Sequence, residues 1–120
     1  MFLFGAVARA DTILVWGDSL SAGYGLERGQ EWPTLLQTRL QAEGFRHVVV
    51  NASVSGETSS GGLTRLHAAL AEHAPTLVIL ELGANDGLRG LKPQLLADNL
   101  AAMIDAAHAL NGVEIFQICR

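Results

Sequence analysis

Cysteine is almost absent from this sequence, because Cys119 is the only one among 120 residues. A single cysteine cannot form an internal disulfide, and no second cysteine or cysteine/histidine cluster has the spacing of metal ligands. The sequence therefore predicts no disulfide framework, no metal site and no cofactor that cysteines would hold. We interpret Cys119 as an ordinary buried thiol.

Positive charge is scarce as well. The chain has 8 lysines and arginines against 12 aspartates and glutamates, which gives a formal net charge of −4 at pH 7. The basic residues are scattered singly, whereas a nucleic-acid partner needs them clustered on one face. Long apolar runs are also lacking, since about 20 consecutive apolar residues are needed to span a bilayer. We therefore expect no nucleic-acid partner and no integral membrane segment in the mature chain.

The first ten residues, MFLFGAVARA, are apolar except for Arg9 and end in Ala8-Arg9-Ala10. This small-x-small ending is typical of a signal-peptidase site, although a positively charged beginning is missing. We interpret residues 1–10 as the remnant of a signal peptide and residues 11–120 as one domain. This interpretation predicts a periplasmic or secreted location. The alternative is a frayed first strand.

Short apolar runs alternate with longer helical patterns along the rest of the chain. Each run is rich in β-branched or large apolar residues, and glycine or polar positions bound it. The predicted strands are Thr12–Trp16, His47–Asn51, Thr76–Leu82 and Val113–Ile118, and the predicted helices are Trp32–Glu43, Leu63–His73 and Pro93–Leu110. This alternation is typical of an α/β fold, in which crossover helices cover a parallel sheet.

Three loops follow the first three predicted strands, at residues 17–25, 51–58 and 83–90. The carboxyl ends of parallel strands share one edge of the sheet, and ligands bind at that edge in open α/β sheets. All three loops are dense in glycine and small polar residues, which suits them to stabilising an oxyanion. Ser19 in the first loop is a candidate nucleophile. Taken alone, Gly17-Asp18-Ser19 is also compatible with an ordinary turn that caps a helix.

The order and spacing of three motifs resemble the SGNH, or GDSL, hydrolase family. The motifs are Gly17-Asp18-Ser19-Leu20, Gly56 and Gly83-x-Asn85-Asp86, and the resemblance covers residues 11–118. It implies a three-layer α/β/α, flavodoxin-like fold with a parallel sheet, of which about four strands are present. Asp18 precedes the candidate nucleophile, and we expect it to hold the turn rather than to transfer protons.

By the same resemblance, Ser19 is the nucleophile of a serine esterase that works through an acyl-enzyme without a cofactor. Its backbone N–H, the backbone N–H of Gly56 and the side-chain amide of Asn85 would form the oxyanion hole. The implied substrates are small-molecule esters and thioesters with apolar acyl chains, of the arylesterase, thioesterase and lysophospholipase type. A mobile loop over the acyl chain would consist of Asp86, Gly87, Leu88, Arg89 and Gly90.

The catalytic base is the feature that the resemblance does not supply within this chain. The family provides it as histidine in an Asp-x-x-His block near its C-terminus. Asp105 and His108 match that spelling, but they lie 12 to 15 residues along a predicted helix, roughly 20 Å from the catalytic edge. The other histidines, His47, His67 and His73, are also expected away from that edge. We therefore expect a C-terminally truncated hydrolase, with a fifth strand and the Asp-x-x-His loop to follow Arg120.

Two alternatives remain open on the sequence. One is a carbohydrate-ester deacetylase of the same fold. The other is a non-catalytic, flavodoxin-like module whose serine and glycine loops bind phosphate. The loops contain no lysine, and Arg89 is the only cation near them, which argues against the second alternative.

Overall fold

A computed structural model describes residues 10–118 of the chain. The interpretation of residues 1–10 as a signal-peptide remnant, apart from Ala10, and that of Cys119 as a buried thiol concern residues outside this range. The elements in chain order are β1 (Thr12–Gly17), α1 (Ser19–Ala22), α2 (Trp32–Ala42), β2 (Val48–Asn51), α3 (Ser59–His73), β3 (Leu77–Glu81), α4 (Ala84–Leu88), α5 (Pro93–His108) and β4 (Glu114–Gln117).

The strands form a four-stranded parallel sheet in the order β2-β1-β3-β4. Val15 pairs with Asn51 of β2, and Trp16 pairs with Leu80 of β3, so β1, β2 and β3 end at the same edge. In the sheet, β2 lies on one side of β1 and β3 lies on the other. Right-handed crossovers therefore place α2 on one face of the sheet, and α3 and α5 on the other. The predicted parallel α/β fold is confirmed.

The main core lies between the sheet and the pair of helices α3 and α5. Leu14 and Trp16 of β1, two residues apart on one face, pack against Leu66 of α3 and Met103 of α5, and all four are fully or almost fully buried. The indole N–H of Trp16 also donates to the Gly62 carbonyl at 3.1 Å. This packing anchors the strand that leads directly into the Ser19 turn.

The outer edge of β2 is covered by one side chain of α2. The Gln37 amide donates to the His47 carbonyl at 2.9 Å, and its oxygen accepts from the Val49 N–H at 2.7 Å. These bonds satisfy main-chain groups that an edge strand would otherwise leave open to another chain. They also fix α2, which carries Trp32, against the sheet.

Candidate active site

Ser19 lies at the point where β1 turns sharply into the short helix α1. Asp18 is the N-cap of that helix, and its Oδ1 accepts from the Leu20 N–H at 3.0 Å. Asp18 is 1% exposed, whereas Ser19 is partly exposed. The expectation that Asp18 holds the turn is confirmed. A partly exposed serine on a rigid turn after a buried strand can present its hydroxyl to a substrate.

The loop after β2 is bonded to the Ser19 turn along its length. The Gly17 N–H donates to Ser53 Oγ at 3.1 Å, and the Val54 N–H donates to the Gly17 carbonyl at 3.0 Å. The Asn51 side chain donates to the Ser21 carbonyl at 2.8 Å. Asn51 and Ser53 were not singled out in the sequence, although both belong to the polar loop at residues 51–58. They keep this loop and the turn in one fixed arrangement.

Asn85 links the loop after β3 to both other loops. Its Nδ2 donates to the Glu57 carbonyl at 3.0 Å and lies 3.5 Å from Asp18 Oδ2. Glu57 is itself held by Arg65, whose guanidinium lies 2.7 Å from the carboxylate and 4.2 Å from the centre of the Trp16 ring. The structure therefore brings together the three loops that carry the predicted oxyanion-hole residues.

Gly56 adopts a backbone conformation that favours glycine. Its φ is +81°, in the left-handed region, and a Cβ placed there would meet no atom within 4 Å. Glycine is therefore favoured by the main-chain conformation and not by crowding. Gly56 is exposed, and its carbonyl lies 3.5 Å from Arg89 Nη2.

The segment predicted as a mobile loop over the acyl chain begins as the helix α4, and Asp86 does not face the solvent. Asp86 is 1% exposed, and its two oxygens accept from the N–H and the hydroxyl of Ser59 at 2.7 and 2.6 Å. The carboxylate thus anchors the start of α3. Ser59, which the sequence did not indicate, receives a further bond from Asn99 at 3.0 Å.

The rest of that segment is at the surface. Leu88 is 84% exposed, and Gly87, Arg89 and Gly90 are exposed as well. The other two loops also expose a large apolar side chain each, Leu20 at 44% and Val54 at 43%. The edge around Ser19 therefore carries apolar surface from all three loops.

Glu81 is a buried carboxyl group beneath the Ser19 turn. It is the last residue of β3 and 5% exposed, and Ser21 Oγ donates to its Oε1 at 2.6 Å. Burial raises the pKa of Glu81, and the neighbouring negative charge of Asp18 raises it further, although the hydrogen bond from Ser21 partly opposes both effects. Sequence pattern gave no signal for this residue, because it ends an apolar strand.

The histidines lie away from the three loops. His47 precedes β2, with Nε2 3.7 Å from Asp11, and His73 ends α3 beside Glu72. His67 lines an apolar cavity of about 620 Å³ together with Thr76 and Val113, which stand before β3 and β4 at the opposite end of the sheet. His108 is the last residue of α5. None of these positions offers a base to Ser19 within the described part of the chain.

Metal-ligand clusters and membrane-spanning helices are both absent between residues 10 and 118. No group of three or more histidine, cysteine, aspartate or glutamate side chains in this range could hold a metal ion. None of the helices in the same range has the length and apolar character needed to cross a membrane.

Comparison with known proteins supports the same family. The sequence model of the GDSL-like Lipase/Acylhydrolase family matches residues 15–120. Esterase TesA of Pseudomonas aeruginosa is 58% identical over 102 residues, which are 85% of this chain and 51% of that protein. Thioesterase 1/protease 1/lysophospholipase L1 of Escherichia coli K12 is 48% identical over 104 residues, 87% of this chain and 49% of that protein. The chain spans about half the length of these curated relatives.

Solved structures show the same fold. A crystal structure of TesA superimposes with a TM-score of 0.86 at 54% identity and covers 89% of this chain and 59% of that one. AlinE4, an SGNH-hydrolase family esterase, superimposes with a TM-score of 0.84 at 38% identity over 93% of this chain and 60% of that one. The resemblance seen in the sequence is thereby confirmed for the family and for the fold.

Proposed function

This chain belongs to the GDSL-like lipase/acylhydrolase family, and on that premise we propose that it forms the nucleophile-bearing part of a serine esterase. The observation that carries the proposal is Ser19, partly exposed on a turn that Asp18 caps and that two further loops brace. Ser19 Oγ attacks the carbonyl carbon of an ester or thioester while a general base takes its proton, and that proton passes to the alcohol or thiol that leaves. Water then releases the acyl group from the serine.

The proposed oxyanion hole consists of the backbone N–H groups of Ser19 and Gly56 and the Asn85 amide. One N–H of Asn85 is engaged by the Glu57 carbonyl at 3.0 Å, which orients the side chain. The contact with Asp18 Oδ2 at 3.5 Å is too long to hold a second N–H firmly. A developing oxyanion competes well for such a loosely held donor, and a neutral amide of fixed orientation stabilises its charge.

Apolar surface around Ser19 supports an apolar acyl chain as the preferred group. Leu20, Val54 and Leu88 are exposed on the three loops. A cavity of about 240 Å³ beside Leu20 is lined chiefly by leucines and small residues, including Leu82, Leu96 and Leu100. We propose carboxylic esters and thioesters of the arylesterase, thioesterase and lysophospholipase type as substrates, which agrees with the names of the relatives. Gly87, Leu88, Arg89 and Gly90 would border the acyl chain.

A substrate panel tests this function in a protein that contains the chain together with a catalytic base. p-Nitrophenyl esters, an acyl-CoA and a lysophospholipid are expected to be hydrolysed, with rates that rise as the acyl chain lengthens from acetyl. Activity restricted to acetylated sugars would identify a carbohydrate-ester deacetylase instead. Phosphate binding by calorimetry, without labelling of Ser19 by a fluorophosphonate, would identify an anion-binding module.

Removal of the Asn85 amide is expected to slow the chemical step. Asn85→Ala should lower kcat by about a hundred- to a thousandfold with a smaller change in KM, because the donor acts on charge that develops in the transition state. Steady-state kinetics on p-nitrophenyl butyrate measures both constants. Asn99→Ala is the matched control, since that amide bonds to Ser59 and Ser60 on α3. An Asn85→Ala effect confined to KM would make Asn85 a substrate-binding residue only.

A periplasmic or secreted location is part of the same proposal. It is supported by the Ala8-Arg9-Ala10 pattern that ends an apolar segment. N-terminal sequencing of the protein recovered from a periplasmic fraction would be expected to begin at Asp11.

A further inference from the structure

A chain of hydrogen bonds beneath the Ser19 turn joins three elements. The indole N–H of Trp32 on α2 donates to Ser21 Oγ at 3.0 Å, and Ser21 Oγ on α1 donates to Glu81 Oε1 at the end of β3 at 2.6 Å. The hydrogen-bonded side chains are closely packed against β1, since a Cβ on Gly17 would lie 2.7 Å from Ser21 Oγ and 2.9 Å from Glu81 Oε1. Helix α1, whose first residue is Ser19, is therefore attached to both the sheet and α2 through one hydroxyl.

Among residues 10–118, no lysine, arginine or histidine forms an ion pair with the buried Glu81 carboxyl. The groups that act on it are the Ser21 hydroxyl, the backbone N–H of Asp18 and the Asp18 carboxylate, and the last of these repels a second negative charge. The side chains that reach this region from β2 and β4, Asn51 and Gln117, do not titrate. Desolvation and repulsion by the Asp18 carboxylate both raise the pKa of Glu81.

We propose that Glu81 is a positioning residue that, through Ser21 and Trp32, holds α1 and thus Ser19 at the catalytic edge. The importance of this position for catalysis rests on the proposed role of Ser19. Ionisation of Glu81 places two carboxylates under one turn and pushes Asp18 away from the Leu20 N–H that it caps. Because Asp18 caps α1 through the Leu20 N–H, the same event loosens the turn that carries the proposed nucleophile.

The proposal predicts a titration that is visible without any enzymatic assay. The pKa of Glu81 is raised above its ordinary value of 4.5, so the network is intact at low pH and loosens as the pH rises through that higher pKa. In nuclear magnetic resonance spectra of the ¹⁵N-labelled chain, the Trp32 indole N–H and the Ser19 and Leu20 amides should shift together above pH 4.5. The other tryptophan, Trp16, donates to the Gly62 carbonyl of α3, and its indole N–H should not follow them.

Glu31, directly before Trp32, is the neighbouring carboxylate whose titration has to be separated from that of Glu81. A hydrogen bond from the Thr34 hydroxyl and other local bonds lower the pKa of Glu31. Its transition therefore lies below pH 4.5, whereas that of Glu81 lies above pH 4.5. Glu31→Gln should therefore leave the transition above pH 4.5 unchanged, which makes it the matched control.

Glu81→Gln keeps an acceptor oxygen for Ser21 but cannot ionise. The low-pH chemical shifts of the Trp32 indole and of the Ser19 and Leu20 amides should persist in this variant. Their change above pH 4.5 should disappear. Ser21→Ala should remove the titration from Trp32 while Leu20 keeps it, because the link to α2 alone is broken. A transition that survives in Glu81→Gln, or its absence from the unsubstituted chain, overturns the proposal. Neither result depends on hydrolysis, so a failure of the esterase assignment would be recognised separately.

Discussion

Replacement of Ser19 by alanine is expected to abolish ester hydrolysis without unfolding the domain. The change removes the proposed nucleophile oxygen, and loss of such a serine lowers kcat by about a millionfold. The turn itself is held by the Asp18 carboxylate and by main-chain bonds such as that from the Gly23 N–H to the Ser19 carbonyl at 3.1 Å. Hydrolysis of p-nitrophenyl butyrate, with circular dichroism as a check on folding, measures the effect in a protein that also contains the base.

Ser60→Ala is the control for this substitution. Ser60 is an exposed serine on the first turn of α3, outside the three loops, and its removal should leave kcat unchanged. Near-normal activity in Ser19→Ala would show that another group is the nucleophile, and the esterase mechanism given above would then have to be abandoned.

The strands could be predicted from the sequence because each is a short apolar run, most clearly in the largely buried central strands β1 and β3. Each predicted strand ends within one residue of the observed one. Helix α3, by contrast, begins at Ser59 and not at Leu63, because Thr58 caps it. Its first turns also contain two glycines. Glycine disfavours helix, so the local pattern concealed this start. Helices α1 and α4 are too short to show helical periodicity.

Only those residues of the candidate site that belong to short sequence motifs could be predicted. Ser19, Gly56 and Asn85 belong to motifs that recur in the family, and Asp86 belongs to one of them as well. The motif gives no sign that the Asp86 carboxylate turns inward and accepts a hydrogen bond from Ser59, 27 residues away. The bond between Ser21 and Glu81 spans 60 residues. Such pairings are decided by how the loops meet above the sheet, which no local pattern records.

The second large effect concerns the base that Ser19 requires. A serine hydroxyl is a weak nucleophile until a neighbouring group accepts its proton. The three loops at the carboxyl edge of β1, β2 and β3 contain no histidine. His108 ends α5, which begins at Pro93 beside α4, so the histidine lies about 22 Å along the helix from the catalytic edge at 1.5 Å per residue. The pair Asp105 and His108 therefore cannot serve Ser19 in this fold.

We expect the 120-residue chain to hydrolyse p-nitrophenyl butyrate very slowly, and the same chain joined to the C-terminal half of Esterase TesA to be active. Catalysis by the oxyanion hole alone typically retains about a thousand- to ten-thousandfold over water, far below an intact triad. The assay compares both proteins, and circular dichroism establishes that both are folded. His108→Ala in each serves as the control and should change neither rate, because this histidine stands at the far end of α5. Full activity in the 120-residue chain that is lost on His108→Ala would show that Asp105 and His108 form the missing pair after all.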